Sequence, residues 1–401
     1  MRSDPLLRDR DGRLLLGAQA LDVIGAGVSM IALPWLVLDG GGSASAAALV
    51  FALSVAPYVA FGLVAGVVGD RHNRRRIMWI AHLLQVLAAF VIPAWTLMGH
   101  PPLGVVLAAA IAIGTARVFV DAAVFGAIAA IIGRERFTEG QATLSAAWAI
   151  GYFVGPALGG VLIAAIGPGL TLVAEAVMFA CAMAMILAVR RPLDAVDRGA
   201  PEPALAMARE GLAVIWRTPR VRAYTWLSIA WNLAAAASAA LVVPLLRESL
   251  GLSSLQTGVV LAVGSFVAIG VPTLLGWAVP RHGPGRVAAV LTGTSAVAIL
   301  GTGLAPGFVA ASVANGARSL ADYALLSTII GERQRGVPDR LQARVGITGR
   351  MIAVAAIASG GLIGAALAEP LGVRGVFVAS GIGVALAFAL TIPGVLRVGR
   401  G

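Results

Sequence analysis

Long apolar stretches recur along the whole chain and are separated by short polar segments. A helix needs about 20 apolar residues to cross the hydrocarbon core of a membrane. The pattern therefore predicts an all-α membrane protein of about twelve transmembrane helices. The apolar stretches fall at about residues 14–38, 44–69, 77–98, 103–126, 142–166, 168–189, 223–246, 254–279, 287–305, 307–330, 345–368 and 375–396.

The longest polar stretch, residues 190–222, has about six apolar stretches before it and about six after it. It predicts an N-terminal six-helix bundle at 1–190, a cytoplasmic linker at 191–221 and a C-terminal six-helix bundle at 222–401. Within the linker, apolar residues between 205 and 216 recur at roughly helical spacing. This spacing indicates either an amphipathic helix on the inner membrane face or a solvated loop.

The two halves repeat short sequence segments in the same order. IALPWL at 31–36 matches LVVPLL at 241–246, and GVVGDRHN at 66–73 matches GWAVPRHG at 276–283 at the same offset. Internal repeats mark many transporter folds and place the binding site between the repeats. The halves differ in their acids, because Asp22 falls opposite Asn232 and Asp70 falls opposite Pro280.

Composition supports a lipid environment for most of the chain. Hydrophobic residues make up 59% of the 401 positions and charged residues only 12%, against about 45–50% and 25% in soluble domains. The basic residues behind the net charge of +11 are distributed unevenly across the predicted membrane. The outer loops hold only Arg247 and Arg374, and the spans hold only Arg117, Arg318 and Arg350. The remaining arginines lie on the inner side, so both termini are predicted to be cytoplasmic.

Several functions are not expected from these residues. The single cysteine, Cys181, excludes an intrachain disulfide and a cysteine-based zinc site. The chain has no lysine, which excludes the phosphate-binding lysine of a nucleotide-binding loop and therefore an ATP-driven pump. We expect no enzymatic activity, no metal, no cofactor and no nucleic-acid partner.

The loop after the second apolar stretch reads GVVGDRHNRRR at 66–76. It resembles the signature GxxxDRxGRR of the major facilitator superfamily. Inner positive charge alone would explain the arginines but not the spacing of the glycine and the acid. The resemblance implies the major facilitator fold, with twelve transmembrane helices in two pseudo-symmetric bundles.

In that family the loop acts as a conformational latch. By resemblance, Gly66 is expected to allow close helix approach, and Asp70 is expected to accept hydrogen bonds at a helix N-terminus of the other half. The cluster of Arg71, Arg74 and Arg75 is expected to hold the loop at anionic headgroups. Asn73 replaces the usual glycine, and we expect it to adopt the left-handed conformation.

The fifth apolar stretch reads GYFVGPALGG at 151–160. It is similar to the antiporter signature of the same superfamily, GxxxGPxxGG, which favours export over uptake. Glycines four apart let two helices touch, and the proline gives a bending point. Generic packing of small residues is the alternative. The residues of this motif are Gly151, Gly155, Pro156, Gly159 and Gly160.

Ionisable residues inside spans cost about 2.5–3.5 kcal/mol each on insertion scales, so each is a functional candidate. Asp22 is the foremost, since drug exporters of the superfamily often carry an acid in the first helix. It is predicted to bind a proton or cation, to form a structural hydrogen bond with a neighbouring helix, or to face water near the helix end. Glu175 and His82 belong either to a proton path or to ordinary interhelical contacts.

Two arginine–aspartate pairs occupy matching places in the fourth and tenth stretches. Arg117 and Asp121 lie four residues apart, as do Arg318 and Asp322, so each pair can neutralise itself on one helix face. By resemblance to the superfamily, Asp121 could instead pair with Arg74 or Arg75 as part of the latch, and Asp322 is its counterpart in the second half.

The whole chain resembles bacterial drug exporters of the macrolide-efflux and siderophore-exporter type. The resemblance implies a monomeric secondary transporter of the bacterial inner membrane, associated with multidrug resistance, that exports a small amphiphilic molecule by proton antiport. It also implies alternating access around a cavity that contains Asp22, Arg117, Asn232 and Arg318. The alternatives are a lipid or metabolite carrier, or a membrane sensor that transports nothing.

Overall fold

In a computed structural model, helices make up nearly all of the described residues, which are 5–194 and 204–398. A short helix, Pro5–Arg8, precedes the long helices of the first half. Those are α1 (Arg10–Asp39), α2 (Ala44–Arg71), α3 (Arg74–Thr96), α4 (Leu103–Ile132) and α5 (Phe137–Ala188). The second half contains α6 (Ala204–Arg217), α7 (Pro219–Ala240), α8 (Ser254–Ala268), α9 (Val271–His282), α10 (Pro284–Gly303), α11 (Phe308–Arg335) and α12 (Asp339–Val398). Short helical turns at Arg134–Arg136, Val242–Pro244 and Leu245–Ser249 complete the set.

Two of these helices are too long to be single membrane spans. α5 has 52 residues and α12 has 60, so each would extend far beyond a hydrocarbon core of about 30 Å at about 1.5 Å per residue. Each is broken by a glycine with a left-handed backbone, Gly167 (φ 80°) and Gly372 (φ 68°). Both glycines lie in the gaps that the apolar pattern predicted, so each long helix is two helices joined at a glycine.

The all-α membrane fold is confirmed, whereas the number of spans stays a prediction. Among the described residues, seven helices are long and apolar enough to cross a membrane, and nine if two bent pairs each form one span. The bent pairs are Pro219–Ala240 with Val242–Ser249 (42°) and Ser254–Ala268 with Val271–His282 (45°). α11, which carries the predicted tenth span, is not among these candidates.

The chain forms two compact units. The first comprises the described residues of Met1–Gly41 and Leu53–Ala204, and the second comprises Gly42–Ala52 and those of Leu205–Gly401. The first turns of α2 therefore belong to the second unit, where Ser45 Oγ donates a hydrogen bond to the carbonyl of Ala365 (2.6 Å). Nothing in the sequence pattern indicates this division of α2.

The hydrophobic core of the first unit fixes the helices that carry its polar residues. Buried side chains from α1, α3, α4 and α5 form one cluster, which includes Leu15, Met78, Val120, Leu144 and Ile186. Because this cluster joins four helices, polar residues on their inner faces are held at fixed positions relative to one another.

The described part of the predicted linker contains a helix, α6, rather than a loop. Ile215 of α6 is buried in a cluster with Val221, Val337 and Val345 of the same unit. The side of α6 that carries Ile215 therefore packs on other residues of the second unit. Residues 195–203 of the linker lie outside the described residues.

The conformation predicted for Asn73 is wrong. Asn73 has an extended backbone (φ −65°, ψ 112°), and its side chain caps α3 by accepting a hydrogen bond from the backbone N–H of Arg76 (2.9 Å). Its counterpart in the second half, Gly283, does have a left-handed backbone (φ 79°). Asparagine suits either role, and at this position the cap decides its conformation.

Replacing Asn73 with Ala is expected to lower the free energy of unfolding by about 1 kcal/mol, because the cap of α3 is lost. Replacing it with Gly is expected to cost only a few tenths of a kcal/mol. Thermal unfolding of the purified variants in detergent measures both. If Asn73→Gly is as destabilised as Asn73→Ala, the cap is not what Asn73 contributes.

Candidate functional site

Asp22 lies on the inner face of α1 and is fully buried. Gln85 of α3 donates a hydrogen bond from Nε2 to Asp22 Oδ1 (2.8 Å). The sequence allowed for a water-exposed position near the helix end, and the structure places Asp22 in the interior of the first unit instead.

His82 extends this hydrogen-bonded chain by one residue. Its Nδ1 donates to Gln85 Oε1 (2.7 Å) and lies 3.8 Å from Asp22 Oδ1. His82 and Gln85 are three residues apart on α3, so both side chains lie on one helix face. The imidazole and the amide together orient the Asp22 carboxylate.

Arg117 of α4 places a positive charge beside this carboxylate. Its Nη1 lies 3.9 Å from Asp22 Oδ2, and its side chain is only 13% exposed. Tyr152 of α5 also contacts the guanidinium, with Nη2 donating to the phenol oxygen (3.4 Å). Arg117 is therefore a partner of Asp22 from another helix. The sequence predicted a partner on the same helix, Asp121.

Glu175 lies in the C-terminal part of α5 and is fully buried. Ser29 of α1 donates a hydrogen bond to Glu175 Oε1 (2.5 Å). Ser29 follows Asp22 by two helical turns, so one face of α1 carries both residues. Asp22 and Arg117 are close enough to act on Glu175 electrostatically.

The glycines of the predicted antiporter motif hold α1 against α5. A Cβ on Gly155 would lie 2.6 Å from the carbonyl oxygen of Ile24 and 2.8 Å from Gly27 Cα. A Cβ on Gly151 would lie 2.7 Å from the Val23 side chain. Glycines four apart allow this close approach, and it fixes the part of α1 that follows Asp22.

The two remaining glycines of the motif are also buried. A Cβ on Gly159 would lie 3.2 Å from Val28 Cα, and Gly160 is buried. Pro156 lies inside α5, whose backbone leaves the helical conformation at Gly167, and the bend at Pro156 stays a prediction.

The latch glycine does not have the predicted contact. A Cβ on Gly66 would meet no atom of the described residues within 4 Å. Gly69 instead lies close to α4, since a Cβ there would be 3.2 Å from the carbonyl oxygen of Ala122. The helix approach that the resemblance assigned to Gly66 occurs one turn later.

Arg74 and Arg75 bind backbone carbonyls at this end of the first unit, whereas the sequence predicted anionic headgroups. Arg74 donates from Nε to Gly69 O (3.2 Å) and from Nη1 to Leu193 O (3.2 Å). Arg75 donates to Leu187 O in the last turn of α5, where a cation also stabilises the helix dipole.

Two other latch residues remain near the surface. Asp70 is 73% exposed and lies 3.8 Å from the Arg74 guanidinium, a separation at which a solvated ion pair contributes little. Arg71 is also exposed. The latch function of this loop stays a prediction.

Asp121 is bound by a residue that the sequence did not single out. Tyr58 of α2 donates its phenol hydrogen to Asp121 Oδ2 (2.8 Å). The predicted charge relay between Asp121 and Arg74 or Arg75 stays a prediction.

Among the described residues of the second unit, no copy of the Asp22 cluster lies at the matching position. Asn232 donates to the carbonyl of Ser228 (2.8 Å), which is a local bond within α7. Arg318 forms the predicted pair with Asp322 on α11 (3.4 Å) and also donates to the carbonyl of Ala235 (3.1 Å). In this unit the arginine and the acid belong to one helix.

Asp322 has further donors within the second unit. Ser295 of α10 donates to its Oδ1 (2.5 Å), and Trp231 of α7 donates to the same oxygen (3.3 Å). The Asp322 carboxylate is therefore held by donors from three helices, α7, α10 and α11.

Sequence reasoning missed the neutral members of the first cluster: Ser29, Tyr58, Gln85 and Tyr152. A serine, glutamine or tyrosine within an apolar stretch is common and gives no charge signal. The only available signals were the spacing of Gln85 from His82 and of Ser29 from Asp22, which places each pair on one helix face.

The fold and the repeat define a class, a polytopic α-helical membrane protein with a buried acid–arginine cluster in its first half. The chain belongs to the Major Facilitator Superfamily, whose sequence profile matches residues 15–337. This confirms the family that the loop at 66–76 indicated.

Solved structures of that superfamily have the same fold. The nucleoside transporter NupG has a TM-score of 0.79 at 12% identity and covers 97% of this chain and 99% of its own. A bacterial homologue of the iron transporter ferroportin, in an inward-facing state, has a TM-score of 0.73 at 15% identity and covers 97% and 99%. At these identities the likeness shows the fold alone.

Sequence relatives are named as efflux pumps. The multidrug efflux pump Tap of Mycolicibacterium fortuitum is 33% identical over 219 residues, which are 52% of this chain and 53% of that protein. Tap of Mycobacterium tuberculosis strain H37Rv is 30% identical over 222 residues, which are 51% and 50%. The chain spans about half the length of the curated relatives it matches.

Proposed function

We propose that this chain is a secondary active exporter of a small amphiphilic or drug-like molecule, driven by proton antiport in an alternating-access cycle. The observation that carries the proposal is the buried cluster of Asp22, Gln85, His82 and Arg117, with Glu175 beside it. A carboxyl group inside a membrane span is costly, and such groups commonly mark ion or proton pathways.

The class of cargo is supported by the relatives. The Tap proteins are named multidrug efflux pumps, and we extend that activity to this chain as part of the proposal. The glycine contacts between α1 and α5 add support, because they form the motif that resembles the antiporter signature.

The other assignments complete the proposal. The protein acts as a monomer in the bacterial cytoplasmic membrane, with both termini in the cytoplasm, and it uses the proton gradient without a resident cofactor or an enzymatic step. Its candidates for proton and substrate binding are Asp22, Arg117, Glu175, Asn232 and Arg318.

Transport in liposomes tests the function. Purified protein is reconstituted with an imposed pH gradient, and the movement of ethidium, a lipophilic cation, is followed by fluorescence. We expect ethidium to move against the proton flux and to reverse direction when the gradient is reversed.

Protein-free liposomes and a protonophore serve as controls. Ethidium flux that is the same with and without a pH gradient would refute proton antiport. If ethidium, tetraphenylphosphonium and a neutral lipophilic dye all fail to move, the proposed cargo class is wrong.

A further inference from the structure

We propose that Glu175 carries the exchanged proton, while Asp22 stays ionised as the partner of Arg117. This inference rests on the proposed function and assigns different roles to the two carboxyl groups of its site. It follows from the hydrogen-bond donors and charges that surround the two carboxyl groups.

The surroundings of Asp22 stabilise a carboxylate. Gln85 donates to Oδ1 at 2.8 Å, and His82 Nδ1 lies 3.8 Å from the same oxygen. Oδ2 has no hydrogen bond within the described residues, but the Arg117 guanidinium lies 3.9 Å from it. A negative charge on Asp22 is therefore matched by a nearby positive charge.

The surroundings of Glu175 suit a neutral carboxylic acid. Its Oε1 accepts one hydrogen bond, from the neutral hydroxyl of Ser29, and its Oε2 is buried with no hydrogen-bond partner in the part of the chain that is described. Ala176 and Phe179 on the next turn of α5 belong to a buried apolar cluster. An ionised Glu175 would leave one charged oxygen unsolvated, whereas a protonated one would not.

The charge balance of the cluster also requires one proton. The ionisable groups that act on Glu175 are Asp22 from α1 and Arg117 from α4, and His82 of α3 lies beside Asp22. With both carboxyl groups ionised and His82 neutral, the cluster has one uncompensated negative charge, which is costly in a buried site. Protonation of Glu175 removes this charge without breaking the hydrogen bond from Ser29.

Glu332 in the second unit shows the opposite arrangement for the same residue type. It is also buried, but Arg220 lies 3.0 Å from its Oε2 and Arg335 lies 2.8 Å from its Oε1. Two guanidinium groups therefore supply positive charge beside this carboxyl group. Glu332 is therefore a matched control for Glu175.

The exchange step is a competition for one carboxyl group. When a cationic cargo reaches Glu175, the O–H bond breaks, the proton leaves to water and the carboxylate pairs with the cation. When a proton binds from the other side of the membrane, the cation is released. Proton and cargo therefore move in opposite directions, and the inference favours cationic cargo.

Infrared spectroscopy of the reconstituted protein at neutral pH tests the protonation state without any substrate. We expect the C=O band of a protonated carboxyl group to be lost in Glu175→Gln and kept in Glu332→Gln and in the double variant Asp22→Asn/Arg117→Gln, which loses both charges of the ion pair. Ser29→Ala should shift the band to higher frequency, because Oε1 loses its hydrogen bond. A band that survives in Glu175→Gln, or one that is lost in the double variant, overturns the assignment.

Transport then separates this inference from the proposed function. In Glu175→Gln we expect gradient-driven ethidium uptake and ethidium exchange at equal pH both to fall to the level of protein-free liposomes, because the carboxylate that pairs with the cation is absent. Glu332→Gln should keep its response to the gradient. If the wild type shows no gradient-driven flux, the proposed function fails. If the wild type and Glu175→Gln respond equally, only the role of Glu175 fails.

Discussion

Replacing Asp22 with Asn is expected to abolish ethidium transport of every kind, including exchange at equal pH. The substitution leaves the buried Arg117 guanidinium without its carboxylate at 3.9 Å. It also removes the carboxylate that accepts the hydrogen bond from Gln85, which in turn accepts one from His82. We expect the free energy of unfolding to fall by about 2–4 kcal/mol, as for other broken buried charge pairs.

The double variant Asp22→Asn/Arg117→Gln separates the two effects. Removing both charges should restore most of the lost stability, because no unpaired buried charge remains, but it should not restore transport. Thermal unfolding and ethidium exchange are measured on the same preparations. Full exchange activity in Asp22→Asn would remove Asp22 from the transport site.

Replacing Gly155 with Ala is expected to be the most damaging single change in the packing of α1 on α5. The new Cβ would lie 2.6 Å from the Ile24 carbonyl oxygen and 2.8 Å from Gly27 Cα, both of which are backbone atoms. Backbone cannot rotate away as a side chain can, so the two helices must separate. We expect a loss of about 3 kcal/mol in stability, together with displacement of Asp22 from Gln85.

Gly62→Ala is the matched control, because Gly62 lies within α2 and a Cβ there would meet no atom of the described residues within 4 Å. Alanine should raise stability slightly at that site. Melting temperatures of the two variants, measured by size-exclusion chromatography after heating, give the comparison. If Gly155→Ala melts at the same temperature as Gly62→Ala, the two helices do not pack as described.

The helices were predictable from the sequence because apolar length is a direct physical requirement of a membrane span. The breaks at Gly167 and Gly372 fell in the predicted gaps for the same reason. The partners of Asp22 were not predictable, since Gln85 and Arg117 come from other helices and only tertiary packing brings them together. The repeat did indicate that the second half has no acid at the position of Asp22, where Asn232 instead donates to Ser228 within α7.

The wrong expectations share a physical cause. Asn73 and Gly66 were interpreted from residue type, but one residue type serves several conformations. Asparagine can cap a helix as well as adopt a left-handed backbone, and a helical glycine can face either a neighbouring backbone or open space. Only the neighbouring atoms distinguish these cases, as they do for Gly69 against Ala122.

The single-glycine breaks at Gly167 and Gly372 limit where the chain can accept a chemical label. Each joins two helices directly through a residue with a left-handed backbone, so a cysteine placed there would be strained. The segment between α3 and α4 is different, because Met98 is 74% exposed and lies outside both helices. With Cys181 replaced by Ser, a thiol introduced by Met98→Cys would give membrane-impermeant reagents one defined point from which to read the orientation of the protein.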